Sequence, residues 1–270
     1  MHTVTSSDGT RIAMERHGTG HPVVLIGGAF NDRSTMTALA AALAEATAGR
    51  LGAVQYDRRG RGDSGPLGPA LSAKDRVAAE IADLRAVLDS VGGSAHLFGH
   101  SSGGALALEA AARGLAVTRV AVYEPPYVVP GTRPQSSAAL GDRIAALIDG
   151  GDRDSAVSAF LTEAGDVSAQ YLDGMRQNCA TWGGMLALAH TLPNDIALHG
   201  PRQSIPASLG GITCPALVLD GGASPDWTRA GAAAAAAAID CAEYRTLAGQ
   251  DHSILRAPGA LVDPLSRFFT

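Results

Sequence analysis

The chain lacks most of what would mark a disulfide-stapled, nucleic-acid-binding or membrane protein. It has three cysteines in 270 residues, Cys179, Cys214 and Cys241. Their odd number and wide spacing exclude a disulfide framework and give no metal-ligand pattern, so all three are expected to be buried, inert thiols and no metal or other cofactor is expected. Charged residues make up only 17%, the net charge is −5, and neither sign forms a long block. That leaves no electrostatic footprint for nucleic acid or an anionic membrane, and a small molecule becomes the expected partner. No apolar run approaches the roughly 20 residues of a membrane span. The stretch from Met1 to Gly9 has neither the basic nor the apolar region of a secretory leader, so a soluble cytoplasmic protein is expected. No heptad or long apolar edge chooses between monomer and homodimer.

What is present is a strongly apolar chain, 46% hydrophobic, of a length suited to one large core. Residues 2–5 and 10–16 flank Asp8-Gly9, a two-residue turn signal, and predict an opening β-hairpin. Continuous apolar runs at Pro22–Ile26, Gly52–Tyr56, Ala95–Phe98, Val117–Tyr123 and Pro215–Leu219 predict strands buried on both faces of a parallel sheet, with a last strand over Ala242–Leu247. Between them, helical spacing covers residues 34–48, 72–91, 102–113, the Ala232–Ala238 tract and 258–269. Strand and helix alternate, which predicts an α/β fold with a mostly parallel, doubly wound sheet. From Tyr127 to Ser208 the rhythm changes to helical patterns over 138–149, 152–164 and 168–191, without a convincing strand. Residues 1–126 and 209–270 are therefore expected to form the core domain, and 127–208 a helical cap inserted over the sheet.

The most informative stretch is Gly99-His100-Ser101-Ser102-Gly103, where an apolar run breaks at glycine and restarts as a helix. It matches G-x-S-x-G, a strand-turn-helix elbow whose glycines remove Cβ clashes and whose apex serine is pushed into solvent. A serine hydroxyl is a weak nucleophile without a base and an orienting acid. With Gly27-Gly28, Asp57-Arg58-Arg59-Gly60-Arg61-Gly62-Asp63-Ser64, Asp226 and His252 in order around it, the chain resembles an α/β-hydrolase-fold enzyme over nearly its whole length. The resemblance implies a catalytic triad in the order Ser, Asp, His. Ser101, Asp226 and His252 fit that order.

Of the eight histidines, only His252 stands in a loop after the last predicted strand. It is the expected base. His100 is in the elbow itself and is expected to leave the turn in another direction, and His190 reads as a solvated or satisfied side chain. Asp226 follows the Pro215–Leu219 strand and is the expected acid. Glu124, which ends the preceding strand, is the backup acid, because some members of the family place theirs there. Asp220 and Asp251 read as a strand-end turn and a local loop bond.

The oxyanion hole is expected from the backbone amides of Ser102 and of Ala29, in the loop after Ile26. Similar enzymes usually carry His-Gly where this chain has Gly27-Gly28, so Phe30 is an alternative donor. The Asp57–Ser64 loop is rich in glycine and charge but has no P-loop lysine, and reads as a braced turn supporting the elbow. Phe30, His100, Tyr127, Trp182, Met185 and Leu186 are the expected pocket walls. Together these residues predict a serine hydrolase acting on an ester, lactone or thioester of a small apolar acid. The alternatives are cofactor-free lyase, acyltransferase or cyclase chemistry on the same triad, and a non-catalytic ligand-binding pseudo-hydrolase.

Overall fold

In a computed structural model, which describes residues 1–68 and 71–270, eight strands form one sheet in the order β1-β2-β4-β3-β5-β6-β7-β8. The strands are β1 (His2–Thr5), β2 (Arg11–His17), β3 (His21–Ile26), β4 (Leu51–Tyr56), β5 (Ala95–His100), β6 (Val117–Tyr123), β7 (Ala216–Gly221) and β8 (Ala242–Leu247). β1 pairs with β2, and β2 with β4, in antiparallel fashion; every other pairing in the sheet is parallel. The hairpin at Asp8-Gly9 and the doubly wound sheet are those that the sequence pattern predicts.

The unbroken apolar strands are explained by helices on both faces. Because side chains alternate across a strand, Val24 and Ile26 of β3 enter one core while Val23 and Leu25 enter the other. The first core is closed by α2 (Ala73–Ser90), α3 (Ser102–Ala112) and α9 (Asp226–Ala237), and the second by α1 (Thr37–Ala46) and α10 (Gly259–Phe269). Each fully buried Val, Leu or Ile contributes about 1.5–3 kcal/mol relative to exposure. The alanine tract works in the same way, with Ala232, Ala235 and Ala236 packed into the first core.

Between β6 and β7 the described residues form helices and turns: α4 (Leu140–Asp149), α5 (Arg153–Ala159), α6 (Ala169–Gln177), α7 (Cys179–Leu188) and α8 (Leu192–His199). They gather around their own apolar cluster, which includes Leu140, Ile144, Phe160, Trp182 and Leu192, with Ala29 and Phe30 packed against it. The predicted single helix over 168–191 is divided at Asn178, whose side chain accepts from the Thr181 amide and starts a new helix. α8 falls outside the predicted elements, although Pro193 in its first turn is a helix-start signal. The cysteines also differ from expectation: Cys179 and Cys241 are exposed and Cys214 is half-buried, at the start of α7 and in the turns flanking β7 and β8. No described helix is long and apolar enough to cross a membrane.

Candidate active site

Ser101 sits at the junction of β5 and α3 with φ 55° and ψ −124°, a conformation that L-residues adopt only under constraint. The constraint is backbone crowding. A Cβ on Gly99 would lie 2.3 Å from the Gly103 carbonyl oxygen, and one on Gly103 would lie 2.3 Å from that of Ile26. Only glycine fits either place, so strand, turn and helix can close tightly and Ser101 projects from the apex. Its amide donates to the Tyr123 carbonyl at 2.9 Å, which ties the elbow to the end of β6.

His252 is held from three sides. His252 lies in the loop after β8; His100 Nε2 donates to its carbonyl at 2.9 Å, and the Tyr123 hydroxyl donates to the neighbouring Asp251 carbonyl at 2.8 Å. His252 Nδ1 meets Glu124 Oε2 at 2.6 Å. The other carboxylate oxygen, Oε1, accepts from the Gly221 amide at 2.8 Å. Glu124 is fully buried and holds φ 46°. A carboxylate on Nδ1 fixes the proton there and leaves the Nε2 lone pair free to accept one.

The pairing differs from the expected one. His252 is partnered by Glu124 at the end of β6, whereas Asp226 is exposed in the first turn of α9, where a negative charge favours the helix dipole. The physical reason lies at the end of β7. A Cβ on Gly221 would lie 2.2 Å from the Gln250 carbonyl oxygen and 2.5 Å from the Tyr123 hydroxyl, so the His252 loop packs directly on β7 backbone, and Asp226 stands five residues on, as the first residue of α9. Asp220 accepts one hydrogen bond from the Tyr244 hydroxyl, and Asp251 accepts from the Ser253 amide, a local bond as expected.

Opposite the elbow, the loop Gly28-Ala29-Phe30 approaches so closely that a Cβ on Gly28 would lie 2.8 Å from Ser101 Cβ. Phe30 has φ 60°, and its ring meets Phe160 edge-on at 5.4 Å between centroids. Among the described residues, the amides of Ala29, Phe30 and Ser102 donate no backbone hydrogen bond. The Ser102 side chain is buried and its hydroxyl donates to Asp195 Oδ1 at 2.7 Å.

The expected pocket walls separate into three groups. Phe30 lines the elbow side of the helical segment, and Met185 and Leu186 are partly buried against the same cluster. Trp182 is in that cluster too, but its indole N–H donates to Asp154 Oδ1 at 2.9 Å and Arg176 lies over its ring. Two others are corrected. Tyr127 is buried in the first core with Leu106 and Ala232, where the α9 backbone reaches its carbonyl at Gly231. His100 turns towards the His252 carbonyl, stacked on Tyr123, and burial followed by the nearby His252 pulls its pKa down to about 3, so it is neutral at pH 7. His190 is satisfied, its Nε2 facing the Gly60 carbonyl at 2.8 Å.

Sequence reasoning misses a buried ion cluster beneath the elbow. Arg58 forms a fork with Glu80 at 3.0 and 2.8 Å, and its Nη1 reaches Asp195 Oδ1 at 2.8 Å. Arg61 Nη2 contacts both Asp195 oxygens at 2.8 Å. All four side chains are at most 2% exposed. Burial disfavours the Asp195 charge, but Arg61 and Arg58 outweigh it and hold its pKa at about 2. His199, one turn along α8, is buried without a hydrogen-bond partner for either ring nitrogen among the described residues, and burial pulls its pKa down to about 4. The Asp57–Ser64 loop is a braced turn, as expected: Asp57 accepts from the amides of Arg33 and Asp63.

An eight-stranded doubly wound sheet with a serine at a strained strand-helix elbow and a carboxylate-held histidine in the loop after the last strand defines an α/β-hydrolase architecture. The sequence profile described as the Alpha/beta hydrolase family matches residues 17–263, and the chain belongs to that family. Among solved structures it is similar to an alpha/beta hydrolase from Sphaerobacter thermophilus DSM 20745, with 46% identity over 100% of both chains and a TM-score of 0.88. The enol-lactonase from Burkholderia xenovorans LB400 shares 21% identity and a TM-score of 0.69 over 99% of both chains. A thermophilic esterase from Thermogutta terrifontis gives the same identity and TM-score over 100% of this chain and 99% of the other. These last two likenesses are of fold alone. A search of curated proteins found no match.

Proposed function

We propose that the protein is a serine hydrolase that cleaves an ester, lactone or thioester of a small apolar carboxylic acid through an acyl-enzyme on Ser101. The reading rests on one observation above others: His252 Nδ1 is held at 2.6 Å by a buried Glu124. A solvated imidazole needs no such partner, whereas a base that must become imidazolium in a transition state does.

In this reading Ser101 Oγ adds to the substrate carbonyl while His252 Nε2 takes its proton and Glu124 stabilises the imidazolium. The carbonyl oxygen becomes an oxyanion facing the amides of Ser102 and Ala29. Collapse expels the alcohol or thiol, which receives the proton from His252, or leaves it tethered when the substrate is a lactone. Water, activated by the same histidine, then releases the acid. Residues 127–208 act as a cap, with Phe30 and Phe160 forming the apolar wall over the acyl group. Family membership supports hydrolysis in general, and the esterase and enol-lactonase names among the fold neighbours favour an oxygen ester.

The test is covalent. A fluorophosphonate is expected to label Ser101, p-nitrophenyl esters of short acids to be turned over, and Ser101→Ala to lose about 10⁶ in kcat. Parent-like esterase activity in Ser101→Ala would refute the proposal.

A further inference from the structure

We infer that Arg61 and Asp195 are positioning residues for the oxyanion loop: together they fix the Gly28–Ala29 peptide so that the Ala29 amide, and not that of Phe30, is presented to Ser101. The inference rests on the acyl-transfer reading above and assigns to that reaction a buried ion pair that the triad does not use.

Arg61 Nη1 donates to the Gly28 carbonyl at 2.5 Å and to the Asn31 carbonyl at 3.1 Å, so one guanidinium nitrogen spans the loop from its first residue to its last. In a planar trans peptide the carbonyl and the following N–H point in opposite directions. With the Gly28 carbonyl drawn to Arg61, the Ala29 N–H is aimed away from the guanidinium. Gly28 in turn lies against Ser101, close enough that a Cβ there would reach 2.8 Å from Ser101 Cβ. The next carbonyl, that of Ala29, is taken by Asn31 Nδ2 at 2.7 Å within the loop itself. The Gly28 and Ala29 carbonyls are therefore oriented by different side-chain donors, and Arg61 governs the one beside the nucleophile.

Arg61 is held by Asp195. The carboxylate takes Arg61 Nη2 on both oxygens, and Oδ1 also takes Arg58 Nη1 and the hydroxyl of Ser102. The backbone of Ser102 is the other expected donor, so the supports of both oxyanion amides converge on one side chain. Arg58 is balanced by Glu80, which leaves two cations and two anions in a buried, neutral cluster. Asp195 comes from α8, in the helical segment between β6 and β7, while Arg61 comes from the loop after β4. The cluster thus fastens that segment to the oxyanion loop. Similar enzymes usually have a histidine at the position of Gly27, and in this chain the arginine braces the loop from beneath.

The test separates transition-state stabilisation from architecture. A trifluoromethyl ketone is attacked by Ser101 Oγ, the new C–O bond forms, the proton passes to His252, and the carbonyl π pair becomes an oxyanion that needs the same amides as the reaction. Arg61→Met is expected to lower kcat on p-nitrophenyl acetate by about 10²–10³, the loss typical of one oxyanion donor, with KM changed less than about threefold. Its affinity for the trifluoromethyl ketone is expected to fall by the same factor. Should Arg61→Met not fold, Arg61→Lys carries the test: a single ammonium cannot reproduce the fork to Asp195 together with the bond to Gly28, so the same coupled loss of about tenfold or more is expected. Parent-like kcat and inhibition in either soluble variant, or a fall in kcat with inhibitor affinity retained, overturns the assignment. A parent protein that is neither inhibited by the ketone nor labelled at Ser101 overturns the hydrolase reading itself, and this inference with it.

Discussion

The carboxyl ends of β6 and β7 lie side by side, and each offers His252 something different. β6 ends in Glu124, buried and bent back at positive φ, with its carboxylate on the imidazole. β7 ends in Gly221, which contributes a backbone amide to that same carboxylate and no side chain at all. Asp226, five residues further, is exposed at the start of a helix. Loop position after a strand is therefore a weak guide to the acid. What qualifies a carboxylate is burial, a second hydrogen bond that fixes it, and reach to Nδ1. Glu124 has all three.

The comparison can be broken most sharply by exchange of charge at the two strand ends. Glu124→Gln keeps shape but favours the wrong histidine tautomer, and kcat/KM on a p-nitrophenyl ester is expected to fall by about 10³–10⁴. Asp226→Asn is expected to stay within about threefold. Equal losses in both would dissolve the distinction.

A second effect concerns stability. Asp195→Ala leaves Arg58 and Arg61 buried with a single remaining carboxylate, Glu80, and is expected to destabilise by about 3–5 kcal/mol in urea unfolding. Asp226→Ala, which removes only an exposed helix-dipole contact, is expected to cost about 0.3–1 kcal/mol. A small loss at Asp195 would mean that water already reaches the cluster.

The pH dependence of folding gives a third, more gradual contrast. His96, His100 and His199 are buried with pKa values lowered to about 4, 3 and 4, in each case chiefly by burial. The unfolded chain binds protons at these sites near pH 6.5 while the folded chain does not, so stability should fall as pH drops from about 6.5 towards 4. Each extra proton bound by the unfolded state adds about 1.4 kcal/mol per pH unit to the slope. Asp195, lowered to about 2, contributes stability that is present above pH 3.8 and is lost only below it. A single replacement, His199→Phe, should flatten the slope between pH 6 and 4 by up to one proton; an unchanged slope would place His199 in contact with water.

The same contrast shows which parts of the molecule are legible in the sequence. Strands buried on both faces are written as continuous apolar runs, and the elbow announces itself because only glycine survives at 99 and 103. His252 is found because few histidines stand after the last strand. The carboxylate partner of His252 is legible only as two candidates, Glu124 at a strand end and Asp226 in the loop after one, since the choice between them depends on the Gly221 amide and on how closely Gln250 packs over β7. Asp195 is invisible for a stronger reason. It lies 134 residues from Arg61 in a helix without a motif, and nothing local tells a buried partner from a solvated aspartate. The divided helix at Asn178 and the start of α8 at Pro193 do carry local signals, which the longer apolar pattern around them conceals.

The bond between His252 Nδ1 and Glu124 is the feature on which the rest of the site depends. Proton NMR of the protein, with ¹⁵N-labelled histidine to identify the imidazole, reads that bond directly. A low-field Nδ1 proton is expected from His252 in the parent and in Asp226→Asn, and is expected to be lost in Glu124→Gln. A low-field proton that persists in Glu124→Gln and disappears in Asp226→Asn would contradict the account.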